Sequence, residues 1–392
     1  MGIKNYLSNK FEIDISIESK WLCIVLLTFI GMGCQGPAKE VVNIGFIGPL
    51  TTRATDLGIG PSNAMKLAVS QYNANKLKNE PQINLFIEDD QWLKENAIPA
   101  YHKLKEEHNI KVLFISNTDG TMAVQNEILK DGVIVVNPLN SDDLLSTTNE
   151  NTFRIAKKTE EANGIIAIRI IELGLKKVLF MQYPNDYMTR ATNAAIDILK
   201  KANVEYEVVT VNIGEVDFTE EMAEYKAEGF DAYVFFGYKE LGYAMKQARD
   251  LEITAPFFGS TVLLDPAFYD NSEGAIIGTE CSFFTPADGN FVLANKFIEQ
   301  YYNMYHERPT SIWPAMQAYD AMNLVLNELR NFQVKQNEYP AFSDWLRNKM
   351  KNVRYYQGIC GNILISENRS SKGIYFSLYR YESKGNLEQV RR

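Results

Sequence analysis

The feature that most constrains the fold of this 392-residue chain is a regular alternation of short apolar runs and longer amphipathic stretches. The apolar runs, beginning with Val42–Gly48, carry no polar face, which is typical of strands that are buried on both sides. The stretches between them repeat apolar residues at helical spacing, as Met65, Ala68 and Tyr72 do. The alternation predicts an α/β fold in which helices cover both faces of parallel sheets.

About nine strands are predicted before residue 262, which is too many for one small open sheet. The sequence therefore predicts two doubly wound, Rossmann-like domains with a division near Phe153–Lys158. After residue 262 the regular alternation of predicted strands and helices gives way to a different order. A strand is predicted at 276–284, a long helix carries Ala315 to Leu329 on one face, and the chain closes with an antiparallel pair around a polar turn at 367–373.

The N-terminus stands apart from this pattern. Residues 21–33, WLCIVLLTFIGMG, form an apolar run that Cys34 follows directly. A helix of that length cannot span a hydrocarbon core of about 30 Å, but the run suits the centre of a secretory signal. It resembles a bacterial lipoprotein signal, with 1–33 as the leader, Cys34 as the lipidated residue and 34–41 as a tether. Gly31 and an early acidic run depart from that pattern, so ordinary secretion and a cytosolic location stay open.

Composition argues against several classes of function. The 49 acidic residues outnumber the 40 basic ones and give a net charge of −9, whereas a nucleic-acid-binding surface needs a basic stripe. Three His and four Cys leave little material for a metal site or a disulfide scaffold. The phosphate-loop, HExxH and GxSxG motifs are missing from the sequence. We therefore predict neither catalytic residues nor a metal or cofactor.

Two pairs of residues are candidates for a chemical role. Asp89 and Asp90 end a predicted strand, but adjacent side chains point in opposite directions, so a solvated loop or a helix cap is favoured over an acid/base pair. Cys281 and Cys360 could form a disulfide in an oxidising compartment or remain two separate buried thiols.

Several segments, taken in order, resemble a known family. They are NIGFIGPLTTRATDLGIGPSNAMKLAVSQYNA, LFIEDDQ, GVIVVNPLNSDDL, FFGYKELGYAMKQARDL and PTSIWPAMQAYDAMNLVLNEL. Together they are similar to the leucine/isoleucine/valine-binding proteins, which are type I periplasmic binding proteins, and the resemblance runs from Val42 to Val390. It implies two lobes joined by three crossover strands, with 42–157 and 285–358 in the first lobe and 158–284 and 359–392 in the second.

The resemblance also implies a function. Proteins of this kind bind a small solute between the lobes and deliver it to an ABC permease in the membrane, without catalysis. A sensory or regulatory envelope lipoprotein of the same fold stays open as the alternative. The expected partners are a small-molecule ligand and a permease, no nucleic acid is expected, and the expected location is the bacterial envelope.

The resemblance places ligand contacts of the first lobe after two strands. Thr118 aligns with a ligand-binding hydroxyl, and Asp119 and Thr121 lie close to it in SNTDGT. In NPLNS, Leu139 aligns with a position that offers backbone groups, Asn140 follows it, and Ser141 aligns with a second hydroxyl. These groups would hold a ligand carboxylate without a formal cation, and some of them would also cap helices.

In the second lobe, the resemblance places Tyr187 and Tyr238 at the walls of the cleft, and Leu57 and Trp313 are expected to add apolar surface from the first lobe. Thr261 stands where amino-acid-binding members carry a Glu that pairs with the ligand ammonium. Either another acid takes that role, with Asp119 or Asp186 as candidates, or the ligand is an amide, a urea or a small carboxylate.

Overall fold

The computed structural model describes residues 40–52, 54–140, 143–156, 158–286, 291–332 and 341–390. The predicted leader 1–33, the lipidation site Cys34 and the predicted ligand-binding residue Ser141 lie outside the described residues. Across the described ranges, no helix has both the length and the apolar character needed to cross a membrane.

The first sheet has five parallel strands in the order β2-β1-β3-β4-β5. They are β1 Val41–Gly48, β2 Gln82–Asp89, β3 Val112–Ile115, β4 Ile134–Asn137 and β5 Thr152–Arg154. The helices that alternate with them are α1 Ile59–Asn75, α2 Lys94–His108, α3 Thr118–Asp131 and α4 Asp143–Thr147. Every residue of β3, β4 and β5 is buried, as expected for parallel strands between two layers of helices.

The second sheet has seven strands in the order β15-β14-β10-β9-β8-β6-β7. They are β6 Lys177–Gln182, β7 Glu205–Thr210, β8 Ala232–Phe236, β9 Phe257–Gly259, β10 Glu280–Phe284, β14 Phe376–Ser383 and β15 Asn386–Gln389. Its helices are α5 Thr159–Glu172, α6 Asp186–Lys201, α7 Thr219–Glu228, α8 Leu241–Asp250 and α9 Pro266–Asn271. β6 to β10 are parallel, whereas β14 and β15 add an antiparallel edge.

Three further helices return to the first sheet. They are α10 Val292–Tyr305, α11 Ile312–Leu329 and α12 Ala341–Lys351. Both α10 and α11 pack against α1: the hydroxyl group of Tyr319 donates to Gln71 at 2.6 Å, and that of Tyr305 donates to the carbonyl oxygen of Asn63 at 2.9 Å. We call the first sheet with α1–α4 and α10–α12 the first lobe, and the second sheet with α5–α9 the second lobe.

The chain passes between the lobes three times, after β5, after β10 and after α12. A small antiparallel sheet occupies the third passage, with strands β11 Tyr356–Gln357, β12 Asn362–Ile365 and β13 Ser371–Lys372. It lies beside the first passage, because Ser370 bridges to Arg154 and the Ser371 hydroxyl donates to the carbonyl oxygen of Ala156 at 2.9 Å. The predicted fold class is thus confirmed: parallel sheets alternate with helices in two doubly wound lobes.

The end of the chain differs from the predicted antiparallel pair. The turn lies where the sequence placed it, but β12 pairs with the short β13, and the long β14 joins β10 and β15 in the second sheet. Gly373 separates β13 from β14 at φ +88°, and a Cβ there would lie 1.9 Å from the carbonyl oxygen of Asn362. Because the chain turns sharply at this glycine, one continuous strand cannot form.

Three smaller predictions also need correction or completion. The strand predicted at 276–284 begins only at Glu280, because Gly278 turns the chain at φ +85°. Among the strands before residue 262, β5 lies at the predicted division and was not identified separately. Cys281 and Cys360 are both buried and form no disulfide, so the alternative of two separate thiols holds.

Candidate functional site

A cavity of about 570 Å³ lies where loops of both lobes meet. Its lining comes from the carboxyl ends of the strands, where open α/β sheets gather ligands, and from the loop after β1 and the start of α11. The lining residues are Asp56, Leu57, Trp92, Ser116, Asn117, Thr118, Asp119, Leu139, Asn140, Asn185, Tyr187, Thr189, Arg190, Tyr238, Val262 and Trp313. The first lobe's sheet reverses its order between β1 and β3, so the cavity lies at its switch point.

The start of α3 is organised by Asn117. Its side-chain oxygen accepts hydrogen bonds from the N–H groups of Asp119 at 3.1 Å and Gly120 at 3.3 Å. The hydroxyl of Thr121 donates to the Asn117 carbonyl oxygen at 2.7 Å and is fully buried. Thr121 therefore stands behind the cavity wall and bonds back to the carbonyl oxygen four residues earlier. The cap of α3 is Asn117 and not Thr121, whereas Thr118 and Asp119 line the cavity.

The end of β4 is organised by Asn137 in the same way. Its side-chain oxygen accepts from the N–H groups of Leu139 at 3.1 Å and Asn140 at 2.8 Å. The Asn140 amide in turn donates to the Thr118 hydroxyl, which ties the two loops together. Leu139 and Asn140 both line the cavity. Of the backbone groups that Leu139 was expected to offer a ligand, the N–H group already has an acceptor.

Ser116 is a lining residue that sequence reasoning did not select. Its side chain is only 2% exposed, and its hydroxyl oxygen has no hydrogen-bond partner among the described residues. A buried polar group left in this state costs about 1–3 kcal/mol, which a ligand could recover by bonding to it. The sequence feature that could have identified Ser116 is its position directly after β3 and one residue before Asn117, which caps α3.

The second lobe contributes aromatic walls. Asn185 caps α6 by accepting from the N–H group of Met188 at 2.8 Å, and its amide lies 3.4 Å from the Tyr238 hydroxyl. The Tyr238 ring also packs edge-on against Tyr183, with centroids 5.0 Å apart. These contacts hold Tyr238 at the cavity wall, and burial raises the pKa of its hydroxyl.

Tyr187 connects the cavity to Thr261. Burial raises the pKa of Tyr187 to about 12, while hydrogen bonding to Asn163 and Thr261 and the positive charge of Arg190 act in the opposite direction. Thr261 itself is fully buried and does not line the cavity, which Val262 reaches instead. The position at which the resemblance expects an acid therefore lies behind the wall and supports Tyr187.

The charged groups of the lining include Asp56, Asp119 and Arg190. Asp119 is exposed, and Asp186, the other acid considered from the sequence, is the first residue of α6. Asp56 was not selected from the sequence, although its neighbour Leu57 was. Burial and the negative charge of Asp265 raise the pKa of Asp56 to about 6. Trp92 and Arg190 were also missed, since no local pattern marks a loop or helix residue that only tertiary packing brings to a cavity.

The acidic pair at the end of β2 shapes loops and does not line the cavity. Asp89 accepts hydrogen bonds from the N–H groups of Leu50 at 2.8 Å and Gln91 at 2.9 Å. The sequence favoured a solvated loop or a helix cap for this pair, and the solvated role is wrong for Asp90, which is fully buried. Asp90 accepts from the N–H group of Trp92 at 2.9 Å. This bond helps to place the Trp92 ring at the cavity. In the described part of the chain, no group of three His, Cys, Asp or Glu is arranged to hold a metal ion.

Comparisons with known proteins agree with the two-lobed α/β fold. A family model described as periplasmic binding protein matches residues 41–386. No curated protein matches the chain in sequence.

Solved structures share the fold at low identity. The leucine-binding protein LivK of Thermotoga maritima is 18% identical, with a TM-score of 0.74 over 89% of this chain and 98% of its own. LivJ of Streptococcus pneumoniae, in complex with isoleucine, is 20% identical, with a TM-score of 0.74 over 90% and 99%. A solute-binding protein of Rhodopseudomonas palustris, in complex with 3,4-dihydroxybenzoic acid, is 19% identical, with a TM-score of 0.76 over 90% and 96%.

Proposed function

The chain belongs to the periplasmic binding protein family, and we propose that it captures a small solute in the cavity between its lobes and delivers it to an ABC importer. The observation that carries this proposal is the lining itself. Hydrogen-bonding groups from the strand ends of one lobe face aromatic walls from the other, around a volume in the range of small-molecule sites. The family is one of solute-binding proteins, and we propose no catalysis.

We propose that the ligand carries a carboxylate on an apolar body. Leucine, isoleucine and 3,4-dihydroxybenzoic acid, named for the structural neighbours, share these two parts. Ser116, Thr118 and Asn140 offer neutral hydrogen-bonding groups, and Arg190 adds a cation. Trp92, Tyr187, Tyr238 and Trp313 offer faces against which an aliphatic or aromatic body would pack.

The location and the remaining residue assignments are also proposals. We propose an extracytoplasmic protein that is anchored through Cys34, faces a membrane permease and divides into lobes at the boundaries that the resemblance implies. Thr121, Ser141 and Thr261 would then act around the ligand as supporting or additional contacts. A Cys34→Ser variant should leave the membrane fraction, and retention there would contradict the anchor.

The proposed binding is tested by a thermal-shift and calorimetry screen of amino acids, amides, ureas and small aromatic acids on the purified protein. A ligand that binds only the folded state raises its melting temperature. We expect at least one class to do so, and a Ser116→Ala/Thr118→Ala double variant to lose that response while its circular dichroism stays unchanged. An unresponsive wild-type protein that carries no co-purified solute in native mass spectrometry would contradict the proposal.

Delivery needs a separate test. Deleting the protein should abolish uptake of the radiolabelled ligand that the screen identifies, and re-expression should restore it. If the ligand binds but uptake is unchanged, the delivery step is wrong and the sensory alternative takes its place.

A further inference from the structure

Asp56 reaches the cavity from a tightly folded loop of the first lobe. It lies in the short 3-10 helix Thr55–Leu57, where the N–H group of Leu57 donates to the carbonyl oxygen of Ala54 at 2.9 Å. A Cβ on Gly58 would lie 1.8 Å from the carbonyl oxygen of Pro49, so the loop closes on itself more tightly than another residue would allow. Asp56 therefore reaches the cavity wall from a compact turn of the backbone.

The like charge of Asp265 acts on Asp56 more strongly than the opposite charge of Lys239 does. Asp265, the N-cap of α9 in the second lobe, acts on it with a like charge. Glu240 acts in turn on Asp265, and its buried Oε2 atom has no hydrogen-bond partner in the described part of the chain. Lys239 opposes them but is exposed, and Asp56 forms no ion pair within the described ranges. A positive charge bound here would relieve repulsion between acids of facing lobes.

The surroundings suit a cationic nitrogen in a second way. The Tyr238 hydroxyl lies close enough to Asp56 for the carboxylate to raise its pKa, and the rings of Trp92, Tyr187 and Trp313 line the same cavity. Aromatic faces attract ammonium groups, most strongly where water is excluded. Arg190, which acts electrostatically on Tyr187, supplies the opposite charge in the lining. The cavity therefore presents both signs of charge to one ligand.

We propose that Asp56 recognises a cationic nitrogen of the solute, so that the ligand class is a small zwitterion and not a simple carboxylic acid. In the family that the sequence resembles, a Glu at the position of Thr261 pairs with the ligand ammonium. Asp56, from the first lobe, would have that role here. This inference rests on the proposed function and narrows its substrate class.

The test uses three matched probes on the full chain: L-leucine, 4-methylpentanoate, which lacks the ammonium, and 3-methylbutylamine, which lacks the carboxylate. L-Phenylalanine, 3-phenylpropanoate and 2-phenylethylamine form an aromatic set of the same design. Within a responsive set, we expect the amino acid to bind most tightly and the amine to bind more tightly than the acid. Asp56→Asn should weaken binding of the amino acid and the amine about ten- to hundredfold and leave the acid unchanged.

Asp197→Asn is the matched control, because it removes the same charge from the exposed face of α6 and should change none of the affinities. If the two acids bind while the amines do not, and Asp56→Asn has no effect, the zwitterion proposal is overturned while the proposed function stands. If all six probes fail and the broader screen also fails, both are overturned.

Discussion

The carboxyl oxygen Oδ1 of Asp320, on α11 of the first lobe, lies 2.8 Å from the backbone nitrogen of Ile359, in the third passage between the lobes. The second oxygen accepts from the N–H group of Cys360 at the same distance. The carboxyl group is 2% exposed, and a Cβ on Gly358 would collide with it. One buried acid thus fixes the start of the segment that leads into the second lobe.

We predict that the buried carboxyl group of Asp320 makes the free energy of unfolding fall as the pH rises. Burial raises the pKa of Asp320 to about 7, although its two N–H donors act in the opposite direction. The folded state therefore holds a proton that the unfolded state releases near pH 4, and the stabilisation is lost between about pH 4 and pH 7. Urea denaturation should show the unfolding free energy of wild type falling between pH 5 and 8 more than that of Asp320→Asn. Equal pH slopes would contradict the assignment.

Replacing Glu280 should lower the free energy of unfolding more than breaking an exposed ion pair does. It is 7% exposed and accepts from the Arg169 Nε at 2.7 Å and from an Arg380 Nη at 2.9 Å. Burial alone would raise the pKa of Glu280, but the two guanidinium groups outweigh it and lower that pKa. Glu280→Gln should therefore cost about 2–3 kcal/mol of unfolding free energy at pH 7. Asp250→Asn, which breaks an exposed pair with Lys246, should cost below about 1 kcal/mol, and equal losses would be the contrary result.

Ser116→Ala should weaken ligand binding without lowering the free energy of unfolding. Because the buried hydroxyl has no partner in the described part of the chain, its removal should leave the unfolding free energy unchanged or slightly higher. Affinity for the ligand that the screen identifies should fall about two- to tenfold, through loss of one neutral hydrogen bond. Calorimetry and urea denaturation on the same preparation measure both quantities, and unaltered affinity would remove Ser116 from the site.

Binding of an ammonium probe should tighten as the pH rises through about 6. Asp56 must be ionised to accept the cation, and its pKa near 6 leaves it mostly protonated at pH 5. Burial and the negative charge of Asp265 raise the pKa of Asp56, whereas backbone hydrogen bonds and Lys239 lower it. Glu240 acts on Asp265, and Asp56 itself acts on Tyr238. Between pH 5 and 7.5 the affinity for 3-methylbutylamine should rise roughly tenfold in wild type, while Asp56→Asn stays flat. A pH dependence that survives in the variant would point to another group.

Gly373 should tolerate no side chain. At φ +88° an alanine is strained, and its Cβ would also overlap the carbonyl oxygen of Asn362. Gly385 provides the matched control, since it has φ +75° and nothing within 4 Å of an added Cβ. Gly385→Ala should cost about 1 kcal/mol in thermal unfolding, and Gly373→Ala clearly more. Similar melting temperatures would show that the β13–β14 turn can relax.

The sequence predicted most of the fold because the information is local. Continuous apolar runs such as VIVVN need helices on both faces, and this requirement identified parallel strands without knowledge of their order. The pairing of β14 was missed because β10, its partner, lies about a hundred residues away, and only the turn at Gly373 directs the chain there.

The candidate site was predicted in part for a related reason. Thr118, Asp119, Leu139 and Asn140 lie in the lining because they follow strands whose carboxyl ends meet at one edge. Thr121 follows one of the same strands but is turned inward by its hydrogen bond to the Asn117 carbonyl oxygen. Asp56, Trp92 and Arg190 lie in a turn, a loop and a helix, and they converge only when the lobes are assembled.

The packing of α11 on α1 also limits how the protein can be divided. The hydrogen bond between Tyr319 and Gln71 joins residues that are 248 positions apart, and β14 likewise reaches its sheet only near the end of the chain. A ribosome must therefore synthesise most of the polypeptide before either half can bury its apolar surface. A fragment ending near residue 158 would expose the face of α1 that α11 covers. A stable protein consisting of one lobe would therefore have to combine two separate stretches of the gene.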